Sequence, residues 1–438
     1  MNSKAVTKIQ SVILVVIIVV AAVVGVVYVF LMNDTQSADT IKIGVLADLD
    51  ANIGRHTLQG AILAAEQINA EGGILGRQVE VIGEDNDIES GADTVTVSTA
   101  LTRLITYHEV DFVIGYAIGE AGFVCQEIVA EHKKIFLSVS GGADELTQRV
   151  LDDYDKYKYY FSLIYNTSSV FQGMTDGFLV MREMTDFNKI GYLCEDVGWT
   201  QGVMEGLDYV LPEVHGFDLV YKGTFPLGTF DFSSYFAAAE AAGVEVLVPL
   251  FAIADAIPFV KEYYDRQSPM FVYGGVLKTV AVPKGWEVTD GKCEHTVMAV
   301  FPAEADYPVT NKTLPTREAY INRWNETPVG NGALAYDIIR FILHDAIERT
   351  GTIETNAVIE ALEETSVETS GTRTFVFTES HGIMMGENPN NPDADYAFVM
   401  YYQWQNGNQV PVYPKEIMDE ANATYTFPDW PGPWDNIS

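Results

Sequence analysis

The sequence predicts an α/β protein of two doubly wound, parallel-sheet lobes that follow an N-terminal transmembrane helix. Two observations predict the lobes. Short apolar runs rich in β-branched residues alternate with segments of helical period, and this alternation occurs twice, divided near residues 159–165. Strand–helix alternation of this length requires parallel sheets with right-handed crossovers. The third observation, an uncharged run near the N-terminus, predicts the helix. At about 150 residues per domain, 438 residues amount to roughly two or three folding units.

Lys4 and Lys8 precede the uncharged run, residues 11–32, which is rich in Val and Ile. At about 1.5 Å per residue its 22 residues reach about 33 Å, enough to cross a hydrocarbon core of roughly 30 Å. Secretory apolar regions are shorter, about 7–15 residues, so the expectation is an uncleaved anchor with residues 1–10 as a cytoplasmic tip. Lysines before the run and Asp34 and Asp39 after it place the bulk of the chain on the outer face of the cell membrane. Cleavage of the segment would instead release a secreted protein. Residues 33–40 are polar and read as a linker.

In the first run, residues 41–46 (IKIGVL) read as a strand. Leu58, Ala61, Ile62, Ala65 and Ile68 then fall on one face of a helix, which Gly72 and Gly73 terminate. Strands follow at 78–82, 110–114 and 134–139, with helices at 93–107 and 121–131. The second run places strands at 189–193, 217–225, 244–250 and 270–273. Its helices lie near 173–184, 202–209, 232–241 and 256–265.

Composition narrows the function. Sixty-one acidic residues against 26 basic ones give a net charge of −35, which repels phosphate backbones and excludes nucleic acid as a partner. The acid excess reads as a solvated outer face. Seven histidines, never closer than 24 positions, form no His-x-x-x-His metal helix. Cys125, Cys194 and Cys293 fit no zinc motif or disulfide framework and read as buried thiols. The acidic stretch 84–89 (EDNDIE) lacks EF-hand spacing and reads as solvated acid, so no metal site is expected. There is no Gly-x-Ser-x-Gly, His-Glu-x-x-His or Gly-Lys-Ser/Thr run, so neither catalysis nor a cofactor is expected. Six Asn-x-Ser/Thr triplets suit a secreted, glycosylated surface, or arise by chance from a polar composition.

In parallel sheets, ligands bind outside the carboxyl ends of the strands. The loops to consider are 47–54, 115–122 and 139–143 in the first lobe, and 194–202, 250–255 and 274–279 in the second. Gly119, Ser140, Gly141 and Gly142 are small enough for main-chain N–H groups to approach a ligand, and following helix N-termini favour an anion. That chemistry suits a carboxylate. Tyr116 and Glu120 lie in the same loops. In the second lobe, Glu195, Asp196, Trp199 and Phe251 are larger and are placed to close over the rest of the ligand.

Residues 41–87 read IKIGVLADLDANIGRHTLQGAILAAEQINAEGGILGRQVEVIGEDND. This resembles the opening of the type I periplasmic binding proteins, of the branched-chain amino acid (leucine/isoleucine/valine) kind used by ABC importers. The helix with Glu66 and Asn69 followed by GGILGR at 72–77 is the most specific piece. In the right order come DFVIG at 111–115, IFLSVSGGADELT at 135–147, GTFPLGTFDFSSYFA at 223–237, AYD at 335–337 and QWQNG at 403–407. The resemblance spans nearly everything after residue 40.

It implies a hinge crossed three times, near 160–166, 298–303 and 369–374. Lobe 1 is then 41–162 plus 300–371, and lobe 2 is 163–299 plus 372–438. It also implies closure of the lobes around a small ligand and delivery to ABC permease subunits. Carried over, Gly119, Ser140, Gly141 and Gly142 meet a carboxylate, Trp199 caps the ligand, and Phe251 and Val276 complete the second-lobe contacts. The family usually has Ser or Thr at the positions of Gly119 and Gly142, and an acidic residue near 274–276 for the ammonium. This sequence has neither, although Glu120, Asp196 or Asp255 stand as substitutes. Amides, urea-like compounds and plain carboxylates thus remain open beside amino acids.

The leading expectation is an extracytoplasmic solute-binding protein. A sensor ectodomain is the alternative, opposed by the lack of a second long apolar run, and an extracellular enzyme comes third. His56 reads as an exposed helix-start residue, the tyrosine-rich stretch 154–165 as a hinge or surface crossing, and the C-terminal FPDWPGPWDNIS as packed on the second lobe or frayed.

Overall fold

The apolar runs become the strands of two parallel sheets, seen in a computed structural model. It describes residues 40–88, 93–117, 120–251, 254–281, 284–300, 304–389 and 395–437, without the side chains of Gly198, Trp199, Lys278, Thr279 and Asn436. The expected anchor, residues 11–32, lies outside the described residues. Among the described residues no helix is long and apolar enough to cross a membrane.

The first sheet has the order β2-β1-β3-β4-β5, all parallel: β1 (Ile41–Ala47), β2 (Val79–Asp85), β3 (Phe112–Gly115), β4 (Ile135–Ser138) and β5 (Tyr160–Ser162). β3 and β4 are buried at every residue, which is why they read as continuous apolar runs. The connecting helices are α1 (Asn52–Ala70), α2 (Thr94–Thr106), α3 (Glu120–His132) and α4 (Asp144–Asp152). Asp93 starts α2 by accepting from Val95 N and Thr96 N. Gly73, at φ 85°, ends α1 by donating to Ile68 O over 2.9 Å.

The second sheet is β10-β8-β6-β7, again parallel, from β6 (Lys189–Glu195), β7 (Asp218–Phe225), β8 (Val246–Phe251), β9 (Phe271–Val272) and β10 (Val276–Leu277). Its helices are α5 (Thr167–Thr185), α6 (Gly198–Tyr209), α7 (Ser233–Ala241) and α8 (Ile257–Arg266). α5 begins earlier than the apolar period suggests because the Asn166 side chain caps it, accepting from Ser169 N over 2.8 Å. β9 and β10 run in succession along one edge of β8. A Cβ on Gly275, between them, would lie 1.8 Å from Pro249 O, so only glycine passes there. Gly275 also bridges to Met298, which joins an antiparallel trio to this edge: β11 (Val297–Ala299), β12 (Tyr401–Gln405) and β13 (Asn408–Tyr413). That antiparallel addition extends the fold class beyond the purely parallel lobes expected.

Two further helices, α9 (Thr313–Trp324) and α10 (Gly330–Asp337), return to the first lobe. α10 packs on α1 so closely that a Cβ on Gly60 would lie 1.9 Å from Gly332 O.

Two separate cores result. The first gathers Ile43, Val113, Phe136, Phe161, Tyr320, Ile339 and Phe377; the second gathers Phe178, Tyr192, Val248, Tyr273, Val309, Tyr401 and Trp434. Along the chain, packing passes from one core to the other between Leu163 and Tyr165, between Val309 and Tyr320, and between Ile383 and Met385. The second and third passages fall later than residues 298–303 and 369–374. Ala305 and Val309 pack in the second core, while Phe375 and Phe377 pack in the first, with the Phe377 ring 4.9 Å from that of Phe161. The C-terminal segment is packed, not frayed: Trp430 and Trp434 are buried, and Trp430 Nε1 donates to Ser268 O over 2.9 Å. The three cysteines are free and buried, and desolvation pushes the Cys125 thiol up to about 12.

Candidate functional site

A doubly wound sheet leaves a crevice where successive connections leave to opposite sides. In the first sheet that point lies between β1 and β3, and in the second between β6 and β8. The loops after these strands carry most of the residues singled out above.

On the first lobe the loops are tied to one another by buried side chains. Ser140 Oγ accepts from Ala117 N over 2.7 Å and donates to Ala117 O over 3.1 Å, fixing the loop after β4 to the loop after β3. Asn86 Nδ2 donates to Tyr116 O over 2.7 Å, and Tyr116 is itself buried. Ser140 thus holds loops together with its hydroxyl. Gly141 follows at φ 72°, where a Cβ would lie 2.7 Å from Ala117 O. Among the described residues, no hydrogen bond engages the N–H groups of Gly141, Gly142 or Ala143. These three successive N–H groups ahead of α4 are thus donors without a partner among the described residues, of the kind that an anion can accept from. Gly142 O is occupied, accepting from Thr167 N over 2.7 Å and from its Oγ1 over 3.1 Å. Gly119 lies outside the described residues, and Glu120 is exposed at the start of α3.

On the second lobe, Glu195 is fully buried and its Oε2 accepts from Ala254 N over 2.8 Å, joining the loops after β6 and β8. Asp196 is exposed, with its N–H on Phe225 O. Phe251 has no exposed surface, and its ring meets those of Phe225, Phe232 and Phe259 at 4.5, 5.5 and 5.0 Å. It backs the loop from within the core. Val276 is half-buried on β10. Trp199 sits in the first turn of α6, and its side chain lies outside the described residues.

His56 is not exposed, as the helix-start position suggested. It is buried, with Nδ1 2.6 Å from Tyr320 OH and the two rings stacked at 5.6 Å. Desolvation, then the Arg55 guanidinium, lower its pKa to about 4, against the opposing pull of Glu326. The Lys284 charge adds a smaller lowering. The sequence hid this cluster because Tyr320 and Glu326 lie some 270 residues away.

The acidic stretch 84–89 is partly ordered by ion pairs, Glu84 meeting His108 at 2.7 Å and Arg103 at 3.3 Å. Carboxylate oxygens of Asp48, Asp85 and Asp87 lie within 4.8 Å of one another.

Comparison with known proteins bears on this arrangement. The profile described as periplasmic binding protein matches residues 40–387. The chain belongs to the periplasmic binding protein family. It is similar to Leu/Ile/Val-binding protein homolog 7 of Brucella abortus, 24% identical over 398 residues that cover 86% of this chain and 92% of the relative. Among solved structures it is similar to a branched-chain amino acid ABC transporter protein of Silicibacter pomeroyi, with TM-score 0.76, 17% identity and coverage of 90% and 100% of the two chains. It is also similar to the branched-chain amino acid substrate-binding protein LivJ of Streptococcus pneumoniae, solved with isoleucine, with TM-score 0.66, 21% identity and coverage of 85% and 100%. The resemblance read from residues 41–87 onward is therefore shown.

Proposed function

We propose that the protein is an extracytoplasmic solute-binding protein that captures a small carboxylate-bearing ligand, an amino acid or a related amide or carboxylate, by closing its two lobes. It hands that ligand to the permease subunits of an ABC importer and performs no chemistry on it. The observation that carries this reading is the unengaged N–H row of Gly141, Gly142 and Ala143 at the carboxyl end of β4. We assign Gly119 and Glu120 as further ligand contacts from the segment after β3, with Tyr116 and Ser140 bonded into the ties between the loops. We assign Asp196, Trp199 and Val276 as the second-lobe contacts, while Phe251 is packed in the core among Phe225, Phe232 and Phe259. Closure follows because only the closed form makes both sets of contacts. The lobes that move are residues 41–163 with 320–383 and residues 165–309 with 385–437, divided where packing passes from one core to the other. The apolar segment 11–32 tethers the chain to the outer face of the membrane.

A thermal-shift screen of the full chain against L-isoleucine, L-leucine, L-valine, short amides and short carboxylates tests the reading. A ligand present at about 100 times its Kd adds about 2.7 kcal/mol of stability and raises Tm accordingly. Trp199→Ala is expected to abolish that rise without lowering Tm in the absence of ligand. No stabilisation by any of these compounds would sink the reading.

A further inference from the structure

The three passages between the lobes converge on one buried carboxyl group. Asp337, at the end of α10, is 4% exposed. Its Oδ2 accepts from Ser370 N over 3.0 Å and from Ser370 Oγ over 2.8 Å, while its Oδ1 has no hydrogen-bond partner. Asp337 lines a cavity of about 20 Å³, room for about one water molecule. Leu163 and Tyr165 of the first passage, Thr369–Thr372 and Ile383 bound the same cavity. The second passage is bonded to it, since Thr310 Oγ1 donates to Thr369 O and Thr313 Oγ1 to Ser370 O.

We propose that Asp337 makes the hinge proton-sensitive: the neutral carboxyl stabilises the packed hinge, and its ionisation favours a conformation in which water enters this cavity. Ligand affinity then depends on the proton at this group, a consequence that rests on the solute-binding reading above. A buried carboxylate with one oxygen unpartnered loses more hydration than Ser370 returns. Desolvation accordingly raises the Asp337 pKa to about 7, against smaller opposing contributions from Ser370, Thr369 and Lys312. Few other groups face it. Lys312, at the start of α9, spends its ammonium on Glu368 O and over the Phe341 ring at 4.1 Å. Tyr336 on its own helix donates to Gln67, and Arg340 turns away to Glu71. Tyr165 adds a neutral ring to the cavity wall. Rotation about the passages shifts Tyr165, which packs on the second core, against Asp337 and Thr369–Thr372 on the first lobe, and any shift that wets Oδ1 lowers its proton affinity.

The test needs no ligand, so it stands apart from the screen above. In the full chain, infrared titration is expected to show a protonated-carboxyl band at about pH 6 that is lost by about pH 8, and no such band in Asp337→Asn. At about pH 8, amide exchange of residues 369–372 is expected to be slower in Asp337→Asn than in the native chain, and equal at about pH 5.5. Should the Asn variant fail to fold, Ser370→Ala replaces it, and loss of that donor is expected to move the midpoint of the band upward. A band unchanged in either variant, or exchange with the same pH dependence in both proteins, overturns the proposal. If leucine binds, its affinity is expected to vary with pH in the native chain and to lose that variation in Asp337→Asn.

Discussion

His56 shows at the level of one residue how partners distant in sequence set a side chain's state. Its imidazole is enclosed by Tyr320, by Glu326 and by the Val329 N–H, and its pKa is near 4 where a free histidine titrates near 6.5. The unfolded chain therefore takes up a proton between about pH 6.5 and 4 that the folded chain refuses. Stability contributed by the neutral ring is complete above about 6.5 and lost as pH falls toward 4, amounting to about 3 kcal/mol. Denaturation of the native chain and His56→Gln at about pH 7 and about pH 4.5 checks this. The native chain is expected to lose more on acidification, and equal losses would show the ring to be solvated. Sequence alone gave no sign of this because His56 stands at a helix start, an ordinarily exposed place. Ser140 and Phe251 show the same limit: their positions after strands were readable, but not that a hydroxyl would be spent on Ala117 or a ring turned inward to Phe225.

At the level of elements, the parallel strands were legible because burial on both faces leaves no alternation to interpret, as in β8, VLVPLF. The antiparallel trio was not. β12 reads YYQWQ, and its buried Gln403 is accommodated only because its side chain bonds His295 O, Thr426 O and Thr426 N, a network no local pattern announces. The join between the parallel and antiparallel parts depends on Gly275. A methyl group there meets Pro249 O at 1.8 Å, and backbone on a central strand has little freedom to yield. Gly275→Ala is expected to destabilise by roughly 1–3 kcal/mol, as overpacking does. A denaturant midpoint unchanged by Gly275→Ala would mean that β9 and β10 do not run past Pro249 as one edge.

For the whole molecule, two lobes follow from the repeated alternation, while the places where packing changes lobe depend on which aromatic side chains reach which core. Phe377 settles into the first core against the rings of Phe161 and Phe375, each 4.9 Å away. Charge acts on both lobes together. Sixty-one acidic residues exceed the 26 basic ones, so even with each basic group paired, as Arg323 is with Glu66 and Arg266 with Glu240, the folded surface retains an unmatched negative field. Such exposed pairs contribute at most about 1 kcal/mol each, too little to offset repulsion summed over the surface. Repulsion of this range weakens as the screening length shrinks from about 10 Å at 0.1 M salt to about 3 Å at 1 M. Tm of the full chain is therefore expected to rise steadily as NaCl increases from about 0.1 M to about 1 M, and to rise equally with a bulky organic cation at the same ionic strength. A rise confined to sodium would assign the effect to bound ions, and a Tm that falls would show that the acidic surface is already compensated.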